Sequence, residues 1–551
     1  MSTLNGYLSR AQYLAMASKM SPLPPEMRAL AYDAFEEYLK KRRKHNLYDV
    51  CDVVFHLFSQ RATRRHSPID KLVIDEVQDL TMAELALLHD VASHKDDIFV
   101  CGDTAQTISR GVGFRFTDVR SLFDGRPKLE QLLINYRTHS GILSAANTVV
   151  TILMRLFPNT LDRLASEQGH FSGPPPALLP DTSPERVAEL MLSADDVGLC
   201  EMGANQVVIV RSEESKKQLP LLLQSGLVLT VEESKGLEFD DVCVYNFFAD
   251  SPRECVWLVI NACDEGAAGE RSVAFDLARH QILCEELKML YVALTRARKR
   301  CFVFDTSTER RSPLFGYLSR CGVAELGLES LLSVSATKNG KSTAKDWLRQ
   351  GDNLYANRLW EHAEKCFLKG GDQVRALEAG CKRLCAKALK APKEARAAAL
   401  HAGAVAFMCL ASHQKGPSRA TSLTTAARVW CHAATAATAA AAPTTAAHYY
   451  TKSGEVLRNG LGAVHHRDAL ACFVSAAEQC PQEPRGWENA CGLVEQMLVG
   501  RSGDGGLYDA HRRLLVLARS AASASPETLF EEMAPLLDEF SAAGIDWSER
   551  G

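Results

Sequence analysis

The sequence predicts an α/β protein with a parallel sheet, followed by an all-α tail, and three observations carry that expectation. Short apolar, β-branched runs without polar alternation, such as Leu72-Val73-Ile74 and Ile98-Phe99-Val100-Cys101, mark strands buried on both faces of a parallel sheet. An amphipathic helical stretch from about Thr81 to Ala92 separates those two runs, which makes a βαβ unit. Beyond about Leu331 the chain becomes helical, strand-poor and alanine-rich.

Bulk numbers set limits before any motif is read. A chain of 551 residues is too long for one ordinary core, so more than one domain is expected. Its 46% hydrophobic and 24% charged residues are those of a soluble globular protein. The 17 cysteines are scattered without a C-x-x-C pair, and Cys381, Cys385 and His401 lie on apparent helix, where core packing explains them better than zinc. That usage points to a reducing, intracellular compartment, with nucleus and cytoplasm indistinguishable. Met1 to Tyr7 lacks a basic and apolar signal segment and no apolar run reaches membrane-spanning length, so no membrane partner is expected. With a net charge of −4 and a pI near 6.5, any nucleic-acid binding must rest on local patches. The candidates are Lys40 to Lys44, Arg61 with Arg64 and Arg65, and Arg296 with Arg298, Lys299 and Arg300. Each of these alone reads as a solvated face.

Residues 1 to 46 read as helical, broken by Pro22, Pro24 and Pro25, with a charged helix from about Glu26 to Lys44. The first strand runs straight into Asp75-Glu76-Val77-Gln78-Asp79. Ligands of open α/β sheets bind at the carboxyl ends of the strands, so Asp75 and Glu76 would stand at the lip of a cleft. Adjacent carboxylates there suit Mg²⁺ and a water nucleophile, although an isolated pair is more readily an acidic surface turn. Thr81, with Glu84 three residues on, caps the helix that follows.

The second strand ends in Gly102-Asp103-Thr104-Ala105-Gln106, where a Gln can orient water beside a γ-phosphate. Leu132-Leu133-Ile134 closes in Asn135-Tyr136-Arg137, a guanidinium fork for phosphate oxygens next to a ring that can stack on a base. A helix over about Ser140 to Leu156 comes next, and then a proline-rich break from Gly169 to Pro184. Val207 to Val210 and Val242 to Tyr245 are further buried strands; between them Leu227 to Val231 leads into Glu233-Ser234-Lys235-Gly236-Leu237-Glu238-Phe239-Asp240. Last, a helix from Glu285 to Arg298 feeds the strand Cys301 to Phe304. Arg296, one turn from that helix's end, has the placement of an arginine finger.

In this order the segments resemble the motifs of the UvrD/Rep-like superfamily 1 helicases. IDEVQD corresponds to motif II, GDTAQ to III, NYR to IV, T-x-x-x-SKGLEFD to V and LYVALTRAR to VI, over about residues 47 to 305. The resemblance implies two RecA-like lobes with ATP between them and a motor that steps along single-stranded nucleic acid, DNA rather than RNA. It implies Asp75 as the Mg²⁺ ligand, Glu76 as the catalytic base and Gln106 as the γ-phosphate sensor. Tyr136 would stack on adenine, Arg137 and Arg296 would be paired arginine fingers, and Glu238 would contact the nucleotide sugar. Lys235 and Gly236 would form the coupling loop, with Gly236 toward the nucleotide and Lys235 toward the nucleic acid. The expected divisions are a partial first lobe over 1–124, a second lobe over 125–310, a linker over 311–340 and the helical tail over 341–551.

Four departures qualify that expectation. No G-x-x-x-x-G-K-[ST] loop occurs in the sequence; Gly340-Lys341-Ser342-Thr343 has Ser335 where the leading glycine belongs and lies in a polar linker. Without such a loop, tight ATP binding and turnover need a phosphate cradle from elsewhere. Ser109 stands where the family has an aromatic, which leaves Phe114 as a displaced base-stacking residue. Glu232 replaces a DNA-contacting His, and a carboxylate repels phosphate. Only Thr138 to Val228 separates motifs IV and V, too little for the family's large insertion.

In the tail, Trp347, Gly351, Leu354, Ala363 and Phe367 follow the tetratricopeptide pattern. Tyr450, Gly454 and Leu457, then Ala469, Phe473, Ala476 and Pro481, repeat its two halves. The combination looks like the helicase-like proteins that carry tetratricopeptide and ankyrin repeats. The expected function is the motif II to VI portion of a nucleic-acid-dependent ATPase, a fragment of a longer chain that is inactive without its phosphate loop. The alternative is a non-catalytic helicase-like scaffold whose tail binds a protein partner.

Overall fold

The computed structural model describes residues 7–498, except 17–22, 24, 46, 61–68, 95–96, 109–113, 124–126, 163–164, 181, 192, 195–199, 225, 254, 278, 328–341 and 481–482. Arg61, Arg64, Arg65, Ser109, Gly340, Lys341 and Pro481, singled out above, lie outside the described residues. The chain divides into two compact units, Met1–Lys341 and Ser342–Gly551.

Among the described residues the first unit opens with α1 (Arg10–Leu14), α2 (Pro25–Lys44) and α3 (Val50–Ser59). Strands β1 (Leu72–Ile74) and β2 (Ile98–Val100) then pair in parallel, joined by α4 (Met82–Val91). Thr81 and Glu84 make the reciprocal capping box that the sequence predicts. One face of this small sheet is closed: Ile74 and Val100 pack with Val77, Leu85, Phe114 and Val119. Its other face is open, because Val73 and Phe99 sit opposite each other at 69% and 62% exposure. The expectation that β1 is buried on both faces is therefore corrected. Among the described residues this two-stranded sheet has elements flanking one side only, and the pleat sends alternate side chains to the other.

After the short pair β3 (Ile134–Asn135) and β4 (Gln168–Gly169), with α5 (Ser140–Leu156) between them, the chain builds its main sheet. Its strands are β5 (Ala177–Leu179), β8 (Gln206–Val210), β9 (Val228–Thr230), β10 (Phe239–Tyr245), β11 (Ala297–Phe304) and β12 (Glu325–Leu326). A small antiparallel ribbon, β6 (Ser193–Ala194) with β7 (Cys200–Glu201), precedes β8. The main sheet runs β12-β5-β11-β10-β8-β9, every neighbour parallel. Val207, Val208, Val242 and Val244 are wholly buried at its centre, as continuous apolar strands require. On one face, α5 packs with α6 (Gln281–Leu294) and both touch β11.

Two expected boundaries change. The proline-rich segment holds β5, whose Ala-Leu-Leu is buried between β11 and β12. Pro174 to Pro176 and Pro180 flank this strand without interrupting its hydrogen bonds. The expected linker over 311–340 starts too early: α7 (Thr308–Arg320) buries Leu314, Phe315 and Leu318, and β12 joins the sheet edge.

The described part of the second unit is all helix. Its elements are α8 (Ala344–Ala356), α9 (Trp360–Lys369), α10 (Gln373–Lys390), α11 (Lys393–Ser412), α12 (Gly416–Ala439), α13 (Pro443–Leu461), α14 (His466–Gln479) and α15 (Pro484–Leu498), each packed on the next. A Cβ at Gly351 would stand 2.6 Å from the Phe367 ring, and one at Gly454 would stand 2.6 Å from the Phe473 ring. These are the close helix approaches that the repeat pattern needs small residues for. By length and composition α11 could cross a membrane, contrary to expectation, but Leu400, Ala404, Phe407 and Leu410 are buried among neighbouring helices.

Candidate functional site

The carboxyl ends of β1 and β2 carry the acidic groups. Asp75 and Glu76 are both exposed. The Asp75 carboxylate accepts from the Cys101 S–H at 3.0 Å and from the Glu76 N–H at 2.9 Å, and those bonds, the thiol first, hold it below its ordinary value. In return Cys101 is pushed up to about 11, by burial first and then by Asp75. An exposed, ionised carboxylate of this kind fits a hydrated Mg²⁺, which takes one or two protein oxygens and keeps its waters. Among the described residues no cluster of three or more His, Cys, Asp or Glu offers a protein-only metal cage.

Glu76 sits at φ 51°, the left-handed region, and opens a single 3-10 turn over Val77–Asp79. Its carboxylate accepts from the Gln78 amide nitrogen, while the oxygen of that amide accepts from Asp103 N–H at 3.1 Å. Gln78 is fully buried, so it locks the end of β1 to the end of β2. Sequence reasoning did not single it out; its place two residues after Glu76 was the available signal.

From that junction a chain of bonds crosses to the second lobe. Asp103 accepts from the Gln106 amide at 2.9 Å and from the Tyr291 hydroxyl of α6 at 3.0 Å. Gln106 Oε1 accepts from Arg296 Nη2 at 3.0 Å. Arg296 also donates to the carbonyls of Val292 at 2.9 Å and Leu237 at 3.2 Å, so its guanidinium is fixed. It is 4% exposed, and burial lowers its affinity for the proton. The expected position one helical turn from the end of α6 is corrected: α6 stops at Leu294, and Arg296 occupies the tight turn into β11.

Arg137 pairs with Glu238 at 2.7 Å. The Asn135 side-chain oxygen accepts from the backbone N–H groups of Arg137 and Thr138, both at 2.9 Å, and Thr138 bonds to the Ala297 carbonyl at 3.0 Å. That local turn is why Asn, Tyr and Arg occur together. Tyr136 is 66% exposed and leans on His170, ring centroids 4.7 Å apart. Its free face can receive a flat ring. Glu167, another residue the sequence reading missed, accepts from Asn135 Nδ2 at 2.9 Å, and burial raises its affinity for a proton.

Gly236 takes φ 76° in the turn that carries Lys235 and Glu238, a conformation open to glycine. Lys235, expected on the nucleic acid, reaches across to Asp79 and to the Gln106 carbonyl at 3.0 Å. Phe114 is a correction: it is 2% exposed, inside the first lobe's core and edge-on to Phe116 at 5.2 Å, so its face is not available to a base. The displaced aromatic fills the space between the sheet and the following helical turn, which hydrophobic burial favours.

The arrangement therefore places an exposed acidic pair, a glutamine and two arginines where two parallel-sheet lobes meet. Residues of these types serve phosphoryl transfer in nucleoside-triphosphate motors. Comparison with known proteins agrees: residues 10–124 match the UvrD/REP helicase N-terminal domain and residues 205–308 match the UvrD-like helicase C-terminal domain. Segments of the chain thus match the N-terminal and then the C-terminal domain of UvrD-like helicases, in that order along the sequence.

Among its relatives is human "TPR and ankyrin repeat-containing protein 1", 35% identical over 414 residues, 67% of this chain and 14% of that protein. A "Probable DNA helicase" of Mycoplasma pneumoniae is 25% identical over 300 residues, 51% of this chain and 52% of that protein. "ATP-dependent DNA helicase PcrA" of Bacillus subtilis is 28% identical over 126 residues, 21% of this chain and 17% of that protein. The chain spans about half of the Mycoplasma relative and a seventh of the human one.

Proposed function

We propose that this chain is the motif II to VI part of a nucleic-acid-dependent ATPase that moves on single-stranded DNA, and that its phosphate-gripping loop comes from a further segment laid on the first lobe. The observation that carries the reading is the convergence of Asp75, Glu76, Gln106 and Arg296 on one junction, with Arg137 and Glu238 as a neighbouring pair. ATP with Mg²⁺ would supply the phosphoanhydride bond whose hydrolysis drives movement. Asp75 would hold the hydrated ion, and Glu76 would take the proton of the attacking water. Gln106 would orient that water, while Arg296 and Arg137 would leave their present partners to neutralise phosphate charge. Tyr136 would stack on the base, Glu238 would hold the sugar, and Gly236 would let the backbone of the same turn approach the nucleotide. Lys235 would hold the lobes in register.

The open side of the small sheet supports the same reading. Val73 and Phe99 form an apolar pair on a sheet of two strands, the kind of surface that an added strand and helix would cover. The test is ATP turnover by the 551-residue chain and by a version extended to include a G-x-x-x-x-G-K-[ST] segment of the same natural protein, with and without single-stranded DNA. The extended form should turn over ATP only with DNA present, and Glu76→Gln should lower kcat by at least about a hundredfold. An extended form that folds but stays idle with every nucleic acid would sink the proposal.

One fact favours a second reading, a helicase-shaped scaffold whose tail recruits a protein. The 551 residues contain no phosphate loop, and the close Gly351–Phe367 and Gly454–Phe473 approaches suit a repeat surface for a peptide partner. Partner capture by the tail, with no nucleotide bound by the extended form, would favour it.

A further inference from the structure

Three helices of the second unit meet at a group of sulfur and oxygen atoms that the helicase reading leaves unused. Cys431 on α12 lies 3.7 Å, sulfur to sulfur, from Cys472 on α14. Ser453 of α13 stands between them, its Oγ 3.2 Å from the Cys431 sulfur and 3.4 Å from that of Cys472. The Ser453 hydroxyl already donates to the Ala427 carbonyl at 3.0 Å, so its lone pairs face the thiols. Ser453 is fully buried and Cys472 is 8% exposed, whereas Cys431 is partly exposed. Cys431 is thus the more exposed of the two residues, and Cys472 lies deeper.

We propose that Cys431 and Cys472 form a peroxide-reactive dithiol, Cys431 attacking and Cys472 resolving, that closes to a disulfide between α12 and α14. The proposal stands apart from the helicase reading and rests on the juxtaposition of the two thiols across α13. In the first step the Cys431 thiolate attacks one oxygen of hydrogen peroxide. An S–O bond forms, the O–O bond breaks, and hydroxide leaves and takes up a proton, giving a sulfenic acid and water. In the second, the Cys472 sulfur attacks the Cys431 sulfur; the S–S bond forms, the S–O bond breaks, and the leaving hydroxide takes the Cys472 proton as water. Two thiols and one peroxide become one disulfide and two waters.

Electrostatics agrees with that division of roles. The contact with Cys472 first, with the Ser453 hydroxyl adding to it, lowers the Cys431 thiol below its ordinary value against the effect of burial, whereas the same contact and burial push Cys472 well up. The thiol whose pKa is lowered ionises the more readily of the two, and the thiolate is the form that attacks peroxide. A disulfide needs the sulfurs about 2.05 Å apart, so they must close on each other by less than the width of an atom. The resulting bridge would skip α13 and tie together two helices that share no loop.

The test uses the full chain, treated with hydrogen peroxide, then alkylated and digested with trypsin. Cys431 falls in the peptide 429–452 and Cys472 in the peptide 468–485, with Cys480 in that second peptide. The expected result is a cross-linked pair of these peptides, lost on treatment with dithiothreitol, with fragment ions placing the bond at Cys472. Cys472→Ser should leave Cys431 as a sulfenic acid trapped by dimedone, and Cys431→Ser should remove both products. Exposed Cys409 sets the peroxide dose. No linked pair at a dose that oxidises Cys409 would overturn the proposal, as would a bond placed at Cys480.

Discussion

The two sheets of the first unit are written in the same apolar language and meet different fates. In the main sheet Val208 and Val244 are wholly buried, with strands on both sides and helices packed against it. In the small sheet Val73 and Phe99 occupy equivalent apolar positions and stand mostly in solvent. The difference lies in neighbours: six strands with β5, β11, β10 and β8 inside, against two strands that are both edges. An apolar run states what a strand requires, and the rest of the fold decides whether the requirement is met within the chain.

That contrast can be broken by paired truncations. Phe304→Ala, at a side chain 1% exposed in β11, should cost about 3–5 kcal/mol of urea stability. Phe99→Ala, at 62% exposure, should stay within about 0.5 kcal/mol in this chain. Equal losses would mean that the open face is covered in solution, for instance by a second copy.

A second test sharpens the burial of the main sheet's charges. Arg211, after β8, forms a bidentate pair with Glu286 of α6, whose side chain is 0% exposed. Arg211→Met should strand that carboxylate and cost about 3–5 kcal/mol near neutral pH. Burial raises the Glu286 affinity for its proton above the ordinary value near 4.3. The folded state then binds more protons than the unfolded one, so this contribution is fully present below about pH 4.3 and is lost as pH rises through the higher folded value. Stability that falls more steeply with rising pH in Arg211→Met than in the parent is the expected outcome. An unchanged slope in urea titrations across pH 4 to 8 would refute it.

A more local effect lies at the junction between the sheets. Tyr291→Phe deletes one bond to Asp103 and should cost about 1 kcal/mol. Amide exchange over 98–107 should quicken while β8 and β10 stay protected. Exchange that is unchanged at 98–107 would show that Asp103 holds Gln106 without help from α6.

Much of this was legible in the residues. The strand–acid junction at Asp75, the capping box at Thr81, and the strands of β8, β10 and β11 follow from apolar runs and local spacing. What was not legible depends on distance in the chain. Nothing near Lys235 says that it will reach Asp79, 156 residues away, and nothing near Tyr291 points to Asp103. Phe114 misled because an aromatic next to a motif can serve a ligand or a core, and only packing chooses between them. The strand at Ala177 was hidden by prolines that border it without entering it.

The left-handed backbone at Glu76 has a consequence for how this position tolerates change. Glycine adopts φ 51° freely and asparagine readily, so either would relax the turn. Each would also delete the carboxylate beside Asp75. Conformation and chemistry pull the position in opposite directions, and this chain holds glutamate there in a conformation that its backbone disfavours. A related chain with glycine or asparagine at the equivalent place would have the easier backbone and, on the role proposed for Glu76, would lack the group that takes the proton of the attacking water.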